Sequence, residues 1–249
     1  MNNTYSAPVS ALVQTADDIR SIEAATAGDY EFGAMNTISE AWEVTSGFKR
    51  YLLGAGIVMY VIVGVVLGIV GAIFGGVLFG GGGDAPPNPF SMIIAQLIMQ
   101  PLVMAVMMPF VGGIVVMCLK QIKGQPVEFG DLFSAFNKTL PLLLAAILIN
   151  IMVLLGMVFF ILPGIYLGVS YLLVVPLIVD RDLGVWEAME ASRKAITRSW
   201  FSVFGMYFLL CLIMMVSMLP LFIGLIWTIP LFALSIIMMY QKMFGIASY

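Results

Sequence analysis

Residues 49–79 read KRYLLGAGIVMYVIVGVVLGIVGAIFGGVLF: two cations, then no Asp, Glu, Lys or Arg as far as Phe79. About 20 helical residues cross a hydrocarbon layer of roughly 30 Å, so the run is long enough to span one. Inside lipid the backbone N–H and C=O groups must be satisfied within the segment, which makes the run a helix. Its apolar residues fall on every face rather than on alternate positions, unlike the strands of a membrane barrel. Five more runs of this kind follow. The spans read from the sequence are about 51–79, 90–118, 140–161, 164–180, 200–219 and 221–241.

The charges between the runs set their direction. Arg20, Lys49 and Arg50 precede the first run, and Lys120, Lys123 and Lys138 fall in the second connection. Arg181, Arg193, Lys194 and Arg198 fall in the fourth, and Lys242 follows the last run. The first, third and fifth connections hold none of the eleven Lys and Arg residues. Basic groups stay on the cytoplasmic side, so this alternation predicts six spans with both termini inside. The outer loop Gly80–Pro89 carries one carboxylate, Asp84. The other outer turns, Leu162-Pro163-Gly164 and Leu219-Pro220-Leu221-Phe222, are short and bring their spans together as antiparallel hairpins.

Composition narrows the function classes. At 61% hydrophobic residues, a soluble domain could not cover its surface with polar groups. The acidic start, residues 1–34, has no basic n-region or apolar h-region and reads as a flexible cytoplasmic tail. Residues 35–249 form the predicted membrane domain. Histidine is missing altogether, which removes the commonest general base and metal ligand. Cys118 and Cys211 sit in apolar runs without a CxxC spacing. A net charge of −3 argues against nucleic acid as a partner. Five of the methionines (Met99, Met104, Met107, Met108, Met117) crowd the second span, where thioethers are ordinary packing groups. No cofactor, metal set or catalytic constellation is expected. Asp180-Arg181-Asp182 is read as a turn with local ion pairing.

The basic connections repeat a pattern. Amphipathic helices are predicted at about 35–47, 129–138 and 185–199, each followed by two spans. Thr37-Ile38-Ser39-Glu40 fits a capping box at the start of the first, and Gly47 suits its end. Glu190 and Lys194 form an i,i+4 pair in the third. The predicted fold class is all-α integral membrane: three repeats of an interfacial helix plus a helical hairpin, with the helices on the cytoplasmic face.

Three groups of residues are candidate sites. Gly64, Gly68, Gly71 and Gly75 lie on one face of the first span as a glycine zipper, a packing seam for another copy, a partner or a helix of the same chain. Gln96, Gln100 and Asn150 are the best candidates for an intramembrane polar site, with interhelical hydrogen bonding as the simpler reading. Proline breaks at Pro101, Pro109 and Pro176 could expose backbone groups there. Arg193, Lys194 and Arg198, flanked by Trp186 and Trp200, are candidate lipid head-group contacts, diluted by Glu187 and Glu190.

Leu162-Pro163-Gly164-Ile165-Tyr166-Leu167, then Pro176-Leu177-Ile178-Val179-Asp180, then Leu183-Gly184-Val185-Trp186-Glu187-Ala188-Met189-Glu190-Ala191-Ser192-Arg193-Lys194 form a recognisable succession. It resembles the YciC-like bacterial inner-membrane proteins and the related membrane domain attached to some glycerophosphodiester phosphodiesterases. Gly124–Phe133 is similar to a second signature of that group. The opening Asn3–Pro8 is similar to a short start common among small bacterial membrane proteins, with Thr4 where proline is usual. The resemblance implies a six-span protein of the bacterial inner membrane and brings no catalytic residues; the phosphodiesterase barrel has no counterpart here. The expected function is non-enzymatic: organising lipid or assisting a membrane complex, with membrane lipids and a second copy or membrane protein as partners. The alternative is a transporter or channel for a neutral or amphipathic solute.

Overall fold

The computed structural model describes residues 20–78, 89–219 and 222–247. Among these the regular structure is entirely helical: α1 (Ile22–Ala27), α2 (Ala34–Val44), α3 (Lys49–Leu78), α4 (Pro89–Ile122), two 3₁₀ turns (Phe129–Phe133 and Phe136–Lys138), α5 (Thr139–Phe159), α6 (Ile161–Ser170), α7 (Val174–Arg181), α8 (Val185–Arg198), α9 (Trp200–Met218) and α10 (Leu225–Phe244). Six helical segments are long and apolar enough to cross a membrane: α3, α4, α5, α6 with α7, α9 and α10.

Part of the predicted tail is folded. Ser21 Oγ accepts the Ala24 N–H at 3.1 Å and caps α1, and Gly28 closes it in the left-handed conformation at φ 88°. The Arg20 N–H donates to the Phe244 carbonyl at 3.1 Å, and Tyr30 Oη donates to the Ala195 carbonyl at 2.7 Å. Residues 20–34 therefore pack onto the ends of α10 and α8. The remainder of the tail lies outside the described residues.

The predicted capping box of the first amphipathic helix is not used. α2 starts at Ala34, so Thr37 and Glu40 lie inside it. The Thr37 hydroxyl bonds back to the Gly33 carbonyl at 2.8 Å, and Glu40 pairs with Lys242 of α10 at 2.8 Å. A cation across the interface holds Glu40 in place of its own helix start. The helix also ends earlier than expected, at Val44 with Thr45 as its cap, and Gly47 takes the left-handed conformation, φ 83°, in the turn that follows.

The second amphipathic segment is two 3₁₀ turns rather than an α-helix, and it folds back along α4. Asp131 pairs with Lys120. Next, the Leu132 carbonyl lies so near Gly113 that a Cβ there would be 2.0 Å from its oxygen. Phe133 and Phe136 then set their edges on Phe110, at 5.8 and 5.0 Å between ring centres. The partner numbers fall along α4 while the segment's own numbers rise, so the two run antiparallel.

The third segment also departs from a position across the face. Ser192 of α8 reaches Ser170 and Leu173, and one turn later Thr197 lies 2.6 Å from the Tyr166 hydroxyl. α8 thus turns back at 182–184 and descends along the fourth span. Its apolar face (Ala188, Met189, Ala191, Ala195, Ile196) is buried. A 3.6-residue period shows that a face is apolar; it does not show what covers it.

The outer turn near Leu162 is displaced as well. The chain reverses at Phe160, in extended backbone, and Pro163 lies in the first turn of α6, where its missing N–H goes unused. Gly164 is a contact residue: a Cβ on Gly156 of α5 would lie 2.9 Å from it. Of the proposed proline breaks, Pro101 and Pro109 are accommodated within a continuous α4. Pro176 lies in the first turn of α7, just beyond a true interruption of the fourth span at 171–173.

One further contact bends the simple hairpin scheme. Lys49 Nζ lies 5.4 Å from the centre of the Trp227 ring and 5.9 Å from that of Trp42. The first turns of α3 and α10 therefore lie within a lysine's reach of each other. The expected topology puts these first turns on opposite faces of the membrane, whereas the contact places them at one level. α10 is also the least apolar of the six spans.

Candidate functional site

Where the basic connections meet, polar groups tie the spans together. The interruption at 171–173 leaves backbone groups that a membrane span must satisfy by other means. Ser192 of α8 supplies both: its hydroxyl donates to the Ser170 carbonyl at 2.7 Å and accepts the Leu173 N–H at 3.3 Å. Beside it, α7 ends on Asp180, which is buried. Tyr240 Oη donates to its carboxylate at 2.6 Å, and the Ala247 N–H donates at 2.9 Å. Arg181 donates to the Phe244 carbonyl, and Arg20 donates to that of Lys242. The C-terminal residues are latched by this arrangement onto the end of the fourth span. Lys138 reaches the Ile178 and Val179 carbonyls at 3.0 and 3.1 Å, satisfying acceptors at the end of α7, and pairs with Asp182 at 2.9 Å.

The predicted lipid contacts are largely neutralised. Arg193 forms a fork on Glu190, with its closest approach at 2.9 Å, and Lys194 reaches the same carboxylate at 3.2 Å. Hydrogen bonding from Arg193 holds the Glu190 carboxyl below its ordinary range, and Glu190 in turn raises Arg193. A helix descending along a span needs its charges matched, because unmatched charge beside hydrocarbon is costly. The methylene stem of Arg198 lies against Gly28, beside Tyr30. Burial pushes the Tyr30 phenol upward.

A cleft of about 690 Å³ opens between α1 and α8, with Ile22, Val185 and Trp186 among its apolar lining and Glu23, Glu187 and Glu190 among its acidic groups. Lys194 also lines it and pairs with Glu190, so Glu23 and Glu187 leave a net negative charge that disfavours anionic ligands on this side of α8.

The predicted intramembrane polar site does not assemble. Gln96 donates to Gln100 at 3.4 Å, and Asn150 donates to the Ala146 carbonyl at 3.1 Å. Each bond stays within one helix, and all three side chains are exposed. Among the described residues the glycine face makes no seam: a Cβ on Gly64, Gly68 or Gly71 would meet nothing within 4 Å. The surroundings of Gly75 lie outside the described residues. Among the described residues, the glycines at the closest approaches are Gly54, Gly112, Gly113, Gly156, Gly164 and Gly224. Gly112-Gly113 and the Gly156/Gly164 pair have no zipper spacing, so the sequence offered little to distinguish them.

Sequence reading also missed Ser192 and Lys138 as backbone partners. Their signal was weak: a hydroxyl on the apolar face of α8, and a lysine two residues before an apolar run.

This fold defines a multi-pass helical membrane protein. Comparison with family models, curated proteins and solved structures finds no match to the chain.

Proposed function

We propose that the chain is a non-enzymatic protein of the bacterial inner membrane, with both termini cytoplasmic, that organises lipid or assists a membrane complex. The observation that carries this reading is where the polar groups are used. Ser192, Lys138, Asp180, Arg181 and Arg20 hold backbone groups of the spans and termini. The residues offered for transport bond within their own helices. What faces outward is a wide apolar surface, including Ile57, Tyr60, Leu154, Phe159, Phe201 and Phe208. Lipid or the apolar flank of another membrane protein matches such a surface. The likeness to YciC-like proteins supports the same assignment through the motif residues Pro176–Asp180 and Ala188–Ser192.

A transporter or channel for a neutral or amphipathic solute is the second reading. It draws on the interrupted fourth span, because broken helices build binding sites in carriers. Ser192 occupies that interruption, which weakens it. Reconstitution into liposomes separates the two. The first reading predicts no saturable solute flux and retention of lipid or a membrane partner on purification from native membranes. Saturable flux by the pure protein would overturn it.

A further inference from the structure

Eight of the eleven cations fall into two sets. Lys120, Lys138, Arg193, Lys194 and Lys242 each pair with a carboxylate. Arg20, Lys123 and Arg181 donate to carbonyls near the C-terminus. Arg198, whose stem lies against Gly28 beside Tyr30, belongs to neither set, and nor do Lys49 and Arg50: among the described residues no carboxylate comes within ion-pairing distance of these two. Their neighbours are aromatic rings instead. Lys49 lies between Trp42 and Trp227, at 5.9 and 5.4 Å from the ring centres. Arg50 lies 4.8 Å from the centre of the Tyr51 ring and donates one hydrogen bond to the Tyr51 hydroxyl at 3.2 Å.

This cluster has the composition of a lipid–water boundary. Tryptophan places an apolar body in lipid and an N–H at the head groups, and lysine and arginine attract anionic lipids. Trp42 and Trp227 are both part-exposed, at 52% and 40%. Exposed apolar residues lead away from them, Ile57 and Val61 on α3 and Ile226 and Ile229 on α10. Rings hold the Lys49 ammonium in place without neutralising it. Among the described residues Arg50 donates only that bond, so four of its five guanidinium N–H donors are left for a ligand, and a guanidinium can grip a phosphate through two of them.

We propose that Lys49 and Arg50, flanked by Trp42 and Trp227, bind the phosphate of an anionic phospholipid whose acyl chains run over Ile57 and Ile226. The assignment rests on the lipid-organising reading and moves the head-group contact from α8 to the start of α3.

Fluorescence of the full chain in lipid bilayers tests it. Replacing Trp186 and Trp200 by Phe leaves Trp42 and Trp227 as reporters. Brominated phosphatidylglycerol and brominated phosphatidylcholine are then compared as quenchers at equal mole fraction. The expected result is a preference for the anionic lipid of roughly tenfold in relative association. K49Q/R50Q abolishes the preference and K49R/R50K keeps it, which separates charge from folding. Equal quenching by the two lipids, or a preference that survives K49Q/R50Q, overturns the site. Inorganic phosphate at constant ionic strength leaves the preference unchanged; its loss would mean that the site takes soluble phosphate and would overturn the lipid assignment. These outcomes are independent of solute flux, so the site can fail while the non-transport reading stands.

Discussion

At Gly113 an added methyl group would lie 2.0 Å from the Leu132 carbonyl oxygen and 2.5 Å from its carbon. Both are backbone atoms, so no side chain can rotate to make room. Gly113→Ala is predicted to separate the 3₁₀ turns from α4 and to lower the melting temperature in detergent. Overpacking of this kind costs about 1–3 kcal/mol or more. Gly64→Ala is the control, because nothing stands within 4 Å of its Cβ, and its effect should stay within about 0.5 kcal/mol. Gly68→Leu should likewise leave the folded monomer intact. Thermal melts that rank Gly64→Ala as the more damaging change would show the packing to be misassigned.

At the level of elements, α8 is the clearest case. The succession Glu187-Ala188-Met189 followed by Ser192 identifies an amphipathic helix from sequence, and Ala188, Met189 and Ser192 are indeed buried. What the sequence did not disclose is that this face lies along the fourth span and that Ser192 fills an interruption there. A helical period carries no information about the partner, and the turn at 171–173 contains no glycine or proline to announce it. Ser192→Ala should leave the Leu173 N–H and the Ser170 carbonyl without their side-chain partner, costing about 1–3 kcal/mol. Hydrogen exchange should then speed up at the Leu173 amide while the amides of α10 hold their protection. Unchanged exchange at Leu173 would mean that another group satisfies the break.

For the whole molecule, the six-span character was legible because composition alone forces it: long apolar runs must become helices in lipid. The candidate sites were less legible. Gln96, Gln100 and Asn150 stand out as rare polar groups in apolar runs, yet each finds its hydrogen-bond partner on its own helix. The Lys49 cluster escaped notice because Trp42 and Trp227 lie far apart in the chain. Its contact also brings the first turns of α3 and α10 to one level, which loop charges do not lead one to expect. The account as a whole depends on the fourth, basic connection and the loop that carries Asp84 lying on opposite sides of the membrane. With Cys118 and Cys211 replaced, a single cysteine at Asp84 or, in a second variant, at Glu187 can be treated with a membrane-impermeant maleimide on intact cells. The prediction is labelling of the cysteine at position 84 from outside, and of that at 187 only after the membrane is opened. Labelling at 187 from outside, with 84 protected, would contradict it.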